Sequence, residues 1–231
     1  CTGQFKNDYV DLCALKLPQI HGARALDFQI YSLKNEPIVA CSTSSSHNFK
    51  ESINHLTFNE VISKVNELFA VDVDYGLRDS PLFLIFRLHS RNREIYDKMA
   101  SSILEYMDST RFERYNSTSN SYEDHSYQLM RKKMNNLSSK IMFIVVHSEQ
   151  NNYYIENTNL GKLVDFYGSD MGTMRTFRYN DLKHAQNKDL LKEQSKERMM
   201  FCMPELQNSS SNYNFLIPMS LGFQFVGMNF Q

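Results

Sequence analysis

Five residues of this chain combine a chemically useful side chain with a place near the end of a predicted strand. Asp27 and Gln29 alternate along one predicted strand, so both project from the same face. Cys41 closes the next predicted strand, and Arg87 and His89 lie two residues apart on a third. Carboxylate, thiol and imidazole groups can take part in proton transfer, and a guanidinium can clamp an anion. The pattern predicts a small site for such chemistry, provided that these side chains are free to react.

Each of these residues also has a structural interpretation. An ion pair between Arg87 and Asp27 would neutralise the two groups that catalysis needs free, and we favour this interpretation. Nothing adjacent in the sequence would activate the thiol of Cys41, so we expect it to act as a small buried hydrophobic residue. His89 belongs to no HxH or HExxH motif, which favours a solvated or hydrogen-bonded histidine. One aspartate facing an arginine would be a poor site for a hard cation, so we predict no metal.

The elements that position these residues begin with strands. Residues 25–31 alternate apolar and polar side chains, Asn35-Glu36-Pro37 is typical of a turn, and residues 38–41 are apolar again. Two later segments are almost wholly apolar, which is the pattern of parallel strands buried on both faces. These segments are residues 81–88 and 140–146, and residues 223–230 alternate like a last strand.

Helices alternate with these strands. Apolar spacing predicts helices over residues 7–17, 61–69 and 94–107, and Thr57 with Glu60 forms a capping-box signature before the second. The alternation predicts an α/β fold, a TIM-barrel-like parallel β/α barrel that is irregular or incomplete. We predict a single domain over residues 1–231, with a polar surface excursion around 108–135 and a charged connector around 183–198.

Composition limits the functional classes. The net charge is −1 and the pI is about 6.7, so no overall field recruits nucleic acid or an anionic membrane. The sequence lacks an apolar run of roughly 18 residues, so we expect a soluble chain without a transmembrane segment. The four cysteines lack CxxC spacing, which predicts free buried thiols in a reducing compartment. Because the sequence starts at Cys1 without a methionine, we expect a fragment or a processed form.

Motifs at both ends of the chain resemble the X domain of phosphoinositide-specific phospholipase C. Gly22-Ala23-Arg24-Ala25-Leu26-Asp27 matches the lead-in to a strand with an acidic residue, and Glu36-Pro37-Ile38-Val39 matches the turn and strand that follow. Near the other end, Ser210-Ser211-Asn212-Tyr213, Gly222-Phe223-Gln224 and Asn229-Phe230-Gln231 repeat the order of family segments. The resemblance implies a barrel whose first strand would lie upstream of Cys1.

A narrower resemblance involves residues 5–11 and 26–32. These segments look closest to the phospholipase-C-like proteins of large double-stranded DNA viruses. This similarity implies a virion component, such as a minor capsid protein, located in the virion or the host cytoplasm. Its partners would be other proteins, capsid proteins among them, and not nucleic acid, while membrane lipid headgroups form a further alternative.

The family resemblance also shows which active-site groups this chain lacks. Gln29 stands in place of a second charged residue, Cys41 in place of a catalytic histidine, and Arg87 in place of a calcium-binding glutamate. Apolar or thioether side chains replace the phosphate-binding lysines and an Arg-x-Tyr pair, at Ile144, Val146, Phe201 and Met203. We therefore predict a catalytically degenerate domain without a cofactor, which serves as a structural or binding module.

The alternative is an active phosphoric diester hydrolase with rearranged groups. An upstream histidine would act as the base, Asp27 would orient it, Arg87 would hold the phosphate, and His89 could contribute from the same strand face. Calcium would be a cofactor only under this alternative.

Overall fold

The computed structural model describes residues 6–43, 50–70, 80–118, 121–147, 153–168, 173–206 and 211–229. Within these ranges, one sheet contains nine strands. The strands are β1 (Ala25–Leu33), β2 (Glu36–Val39), β3 (Leu56–Thr57), β4 (Leu82–Leu88), β5 (Ile141–His147), β6 (Val164–Gly168), β7 (Met174–Arg178), β8 (Met199–Met203) and β9 (Phe225–Val226). The helices are α1 (Lys16–Ile20), α2 (Phe58–Val65), α3 (Arg93–Tyr106), α4 (Tyr122–Met130), α5 (Tyr153–Glu156), α6 (Tyr179–Lys183), α7 (Lys188–Glu197) and α8 (Leu216–Ser220).

The sheet is mostly parallel and is not closed. Its strand order is β3-β2-β1-β4-β5-β6-β7-β8-β9. Neighbouring strands from β1 through β4 to β9 are parallel. Strand β2 is antiparallel to both of its neighbours, β1 and β3. The ring centroids of Phe83 on β4 and Phe225 on β9 are 4.9 Å apart, although four strands separate β4 from β9. The sheet therefore curls toward closure, which confirms the predicted incomplete TIM-like barrel.

Two apolar layers lie on opposite faces of this curled sheet. On β4, Leu84 and Phe86 contact α2 and α3 on the outer face, whereas Phe83 and Ile85 point into the interior with Phe201. Every residue of β4 is buried, as the continuous apolar run predicted. Strands β4 and β5 therefore form the buried centre of the sheet, and packing on both faces holds their carboxyl-terminal ends in place.

The capping box of α2 is formed as predicted. The Thr57 hydroxyl accepts the backbone N–H of Glu60 at 3.2 Å, and the Glu60 carboxylate accepts the backbone N–H of Thr57 at 2.8 Å. These bonds satisfy backbone donors that the first turn of a helix leaves open. The helical backbone continues as a π-helix over Asn66–Ala70.

The predicted helix over residues 7–17 is wrong. The chain instead forms a 3₁₀ helix over Leu12–Leu15, followed by α1. The Asn54 side chain accepts the backbone N–H of Val10 and donates to its carbonyl, which holds this residue in a non-helical conformation. The Asp11 carboxylate then accepts the N–H of Cys13 and starts the 3₁₀ turn. Tertiary hydrogen bonds therefore override the apolar spacing in this segment.

Two polar segments of the sequence contain helices. The region around 108–135 includes α4, which packs on β6 and buries His125, Ser126 and Leu129. The region around 183–198 includes α7, which buries Leu191. Strand β9 covers only two residues of the predicted strand at 223–230, because the backbone beyond Gly227 bonds to the side chain of Asn212 instead of extending the β8 ladder.

The prediction that all cysteines are free thiols is wrong. Cys13 is disulfide-bonded, whereas Cys41 and Cys202 are free. Cys1 lies outside the described residues. Disulfide formation depends on the approach of two Cβ atoms in space, which sequence spacing alone does not reveal.

Candidate functional site

The carboxyl-terminal ends of β1 and β4 bring the predicted site residues together. In the parallel register, Gln29 pairs with Arg87, and Asp27 pairs with Ile85. Paired residues of parallel strands project to the same face, which here is the interior of the curled sheet. We call this end of the interior the mouth, and define it by Asp27, Gln29, Arg87, His89 and Cys41.

An ion pair occupies the centre of the mouth. The Nε atom of Arg87 donates to Oδ1 of Asp27 at 2.7 Å. The side chains retain only 11% and 17% of their exposure, respectively, so water screens the pair weakly. This is the ion pair that the sequence analysis favoured. Each of the two charges neutralises the other.

The Gln29 side chain is part of a hydrogen-bond network. Its Oε1 atom accepts the Tyr31 hydroxyl at 2.8 Å and the backbone N–H of Ser42 at 3.1 Å. The residue is buried, so both bonds form away from bulk water. The neutral amide of Gln29 therefore holds Ser42, which lies shortly after β2. A metal site or a catalytic base at this position would need a carboxylate instead of an amide.

The Cys41 thiol lies two residues beyond the end of β2, and not within the strand as predicted. Burial raises its pKa to about 11, while the positive charge of Arg87 lowers it and the negative charge of Asp27 raises it. The thiol is therefore protonated at neutral pH. A protonated thiol cannot accept a proton, so Cys41 does not provide a base in place of histidine.

The His89 ring packs against an aromatic neighbour. It lies just beyond β4 and stacks on Tyr31, with the ring centroids 4.8 Å apart and the planes at 9°. Both residues are buried. Burial also raises the pKa of the Tyr31 hydroxyl well above its usual range. The stack holds the imidazole in a fixed orientation beside the mouth.

Arg178 lies near the mouth, and the sequence analysis missed it. It ends β7, and its Nη1 atom donates to the carbonyl of Pro204 at 2.6 Å. Burial, together with the nearby charge of Arg87, lowers its pKa to about 10, while the carboxylates of Asp27, Glu205 and Asp181 act in the opposite direction. Arg178 therefore interacts electrostatically with both members of the Asp27–Arg87 pair. The signal for Arg178 was its place at the end of a short strand, but weak apolar alternation in residues 174–178 concealed that strand.

Apolar or thioether side chains stand at the positions where the family resemblance implies phosphate-binding residues. Ile144, Val146, Phe201 and Met203 belong to the same buried cluster in the sheet interior. The replacements noted in the sequence therefore fill the interior with packed side chains. No charged group is held at these four positions.

The mouth does not fit a calcium ion. Calcium binds six to eight oxygen ligands, of which several are usually carboxylates. Here the carboxylate of Asp27 is paired with Arg87, and the amide oxygen of Gln29 already accepts two hydrogen bonds. Across the described residues, no group of three or more His, Cys, Asp or Glu side chains is placed to hold a metal.

Glu51 holds Ser42 and Thr43, the residues that follow Cys41 of the mouth. Its Oε2 atom accepts the backbone N–H of Thr43 at 2.7 Å and the Ser42 hydroxyl at 3.2 Å. The hydrogen bonds from Thr43 hold the pKa of Glu51 well below its usual range, at about 2. The ionised carboxylate is the form that these donors stabilise.

We expect acid to remove the contribution of Glu51 to stability. The folded pKa is lowered from 4.5 to about 2, so the contribution is complete above the ordinary value and is lost as the pH falls toward 2. Glu51→Gln should lower the melting temperature at pH 7, and the difference from the parent should shrink between pH 5 and pH 3. Thermal melts across this range test the effect, with Glu36→Gln as the control. A difference that stays constant with pH would contradict it.

A cavity of about 580 Å³ extends from the mouth to the space between β1 and β9. Asp27, Gln29 and Arg87 of the mouth are among its lining residues. The rest of its lining is mainly apolar and includes Leu15, Pro18, Phe201, Phe223 and Phe225. Its volume is within the range of small-molecule sites, so the cavity is large enough to hold a ligand or a polypeptide segment.

Together, the fold and the mouth define an open parallel β/α barrel whose polar groups gather at the carboxyl-terminal ends of the strands. Solved structures with the same architecture are phosphoinositide-specific phospholipases C. PLC21 of S. officinalis matches with a TM-score of 0.74 and 16% identity, over 99% of this chain and 32% of that chain. The calcium-dependent enzyme of Pseudomonas sp. matches with a TM-score of 0.60 and 11% identity, over 97% and 88% of the two chains. The calcium-dependent enzyme of Streptomyces antibioticus gives 0.60 and 8%, over 98% and 93%.

These similarities confirm the phospholipase C fold that the sequence motifs indicated. The chain spans about a third of the length of the S. officinalis protein. No protein-family model matches the sequence. No curated protein matches it either. In the part of the chain that the structure describes, none of the helices has the length and apolar character needed to cross a bilayer.

Proposed function

We propose that this chain is a catalytically degenerate phospholipase-C-like domain that acts as a structural or binding module. The observation that carries the proposal is the ion pair between Asp27 and Arg87. Cleavage of a phosphodiester requires a base, an acid and a positive charge directed at the phosphate. In this mouth the carboxylate and the guanidinium neutralise each other, and the Cys41 thiol is protonated.

An assay on phosphatidylinositol tests the loss of catalysis. We expect no release of inositol phosphates above a protein-free blank, with or without calcium. Asp27→Ala and Arg87→Ala should leave this background unchanged. Turnover by the parent that both substitutions abolish would establish the alternative, an active phosphodiesterase in which these two residues are catalytic.

The place of action is a proposal that rests on sequence resemblance. Residues 5–11 and 26–32 look like segments of phospholipase-C-like proteins of large double-stranded DNA viruses. This supports a role as a virion component, such as a minor capsid protein. Mass spectrometry of gradient-purified particles would detect the chain at a constant ratio to the capsid proteins. Its absence from such particles would contradict the role.

A further inference from the structure

A smaller cavity lies at the end of the sheet opposite to the mouth. Its volume is about 310 Å³, at the lower end of the range of small-molecule sites. Arg24 directly precedes β1, Pro81 directly precedes β4, and Met134 begins the 3₁₀ turn that comes before β5. The cavity therefore lies at the amino-terminal ends of these strands. We call it the basal pocket, and define it by its lining residues Arg24, Ser80, Pro81, Phe83, Met134 and Asn135.

The guanidinium of Arg24 is positively charged, and both of its hydrogen bonds go to neutral groups. Its Nη1 atom donates to the carbonyl of Phe69 at 3.1 Å, and its Nη2 atom donates to the carbonyl of Ser80 at 3.0 Å. Its Nε atom is buried and has no hydrogen-bond partner within the described ranges. Burial and the positive charge of Arg111 both lower the pKa of Arg24. The charge at the wall of the basal pocket is therefore uncompensated by the residues that the structure describes.

The two carboxylates nearest to Arg111 in the sequence are already engaged. Glu113 forms ion pairs with Lys132 and Lys140. The Asp108 carboxylate caps the 3₁₀ turn that follows it. A buried or partly buried charge without a partner carries a free-energy cost. An anion from solution that entered the basal pocket would offset this cost.

We propose that the basal pocket binds a small oxyanion, a phosphate or a carboxylate, that is attached to an apolar group. The oxyanion would balance the charge of Arg24 and accept hydrogen bonds from guanidinium N–H groups that the two carbonyls leave unused. None of the residues that define the mouth lines this pocket. The inference therefore goes beyond the proposed function and does not rest on it.

The remaining walls specify the apolar part of the ligand. Pro81, Phe83 and Met134 contribute apolar side chains to the lining. The Met134 side chain is 57% exposed, and its flexible thioether can adapt to an aromatic ring or a short alkyl chain. Contact with these side chains would remove apolar area of the ligand from water. A ring or chain beside the oxyanion should therefore strengthen binding relative to a bare anion.

Titration followed by NMR tests the proposal. Phenyl phosphate and benzoate represent the two sources of the oxyanion, and benzyl alcohol is the uncharged control. We expect saturable shifts at the backbone amides of Ser80, Met134 and Asn135, and the anion that binds more tightly identifies the source. Added salt should weaken the binding, because it screens the charge of Arg24. Benzyl alcohol should bind about tenfold more weakly than the better anion, or weaker still.

A matched pair of variants tests the charge of the pocket without removing its arginine. Asn135 is exposed and lines the pocket. Asn135→Asp adds a negative charge to the wall and should weaken binding of the anion about tenfold. Asn135→Gln adds no charge and should leave the affinity within about twofold of the parent. Equal affinities for the two variants would contradict an electrostatic site.

A second pair of variants examines Arg24 itself. Arg24→Gln removes the charge and Arg24→Lys retains it, while both lose the forked bonds to Phe69 and Ser80. We expect Arg24→Lys to retain part of the binding and Arg24→Gln to abolish it, with thermal melts to show that each variant is folded. Binding that survives in folded Arg24→Gln would overturn the proposal. Where either variant fails to fold, the pair at Asn135 decides the question.

Other results would identify a different site or ligand. Shifts at Gln29 and Ser42 in place of the pocket amides would locate the anion in the mouth and overturn the proposal. Equal affinity for benzyl alcohol would identify a purely apolar site and would also overturn it. Inorganic phosphate that binds as tightly as phenyl phosphate and benzoate would overturn the assigned class of ligand, because the apolar walls would then contribute nothing. The absence of saturable shifts with both anions would overturn the site itself.

Discussion

Asp165→Ala is expected to lower the free energy of unfolding by about 3–5 kcal/mol. The Asp165 side chain is fully buried beneath α4. Its Oδ1 atom lies 2.9 Å from Nε2 of His125, and its Oδ2 atom accepts the backbone N–H of Phe143 at 2.9 Å. Alanine would leave a buried imidazole and a buried amide without their acceptor, and each carries a desolvation cost.

Urea denaturation of purified variants measures this effect. Asp165→Asn preserves the shape and one acceptor oxygen, so it should be less harmful than alanine. Asp124→Ala lies on the exposed face of the same helix and should change stability by less than about 0.5 kcal/mol. A loss below about 1 kcal/mol for Asp165→Ala would show that the cluster is not a main attachment of α4.

This cluster also shows why the sequence analysis predicted no helix within residues 108–135. His125 and Ser126 are adjacent polar residues, and both are buried because β6 supplies their partners. Ser126 donates to the backbone carbonyl of Asp165 at 2.7 Å. A helix that packs through hydrogen bonds to residues some 40 positions away carries no apolar stripe, so hydrophobic periodicity could not reveal it.

Other parts of the fold were predictable because local rules agree with tertiary packing. Strands β4 and β5 are continuous apolar runs, and burial on both faces is the reason for that composition. The capping box of α2 is formed by Thr57 and Glu60, which are three positions apart, so the local sequence is sufficient to predict it. The predictable features are therefore local ones or strands with uniform surroundings.

The site was predictable only where strand alternation determines the side-chain direction. The sequence analysis favoured an ion pair between Asp27 and Arg87 because both lie near the ends of predicted strands, and the two side chains do meet across the neighbouring strands β1 and β4. Arg178 lies near the same mouth, on β7, which pairs with neither β1 nor β4. Its position depends on the curl of the sheet, and this long-range property has no local sequence signal.

The second large effect concerns the ion pair of Asp27 and Arg87. Arg87→Met should lower the free energy of unfolding by about 2–4 kcal/mol, because it leaves a largely buried carboxylate without its partner. Asp27→Leu should cost a similar amount, since the largely buried guanidinium of Arg87 then lacks its ion-pair partner. The double variant should recover much of the loss, because replacing a buried pair with apolar side chains is often neutral.

A double-mutant cycle turns this expectation into a test of the proposed function. We expect a coupling energy above about 1.5 kcal/mol between Asp27 and Arg87, against less than about 0.5 kcal/mol for the exposed pair of Glu36 and Lys98. Strong coupling means that each group is already committed to the other in the resting fold, so neither is available for a substrate. Coupling near zero, with both single variants fully stable, would mean that the two side chains are held free in the mouth. In that case the loss of catalysis proposed for this domain would have lost its main support.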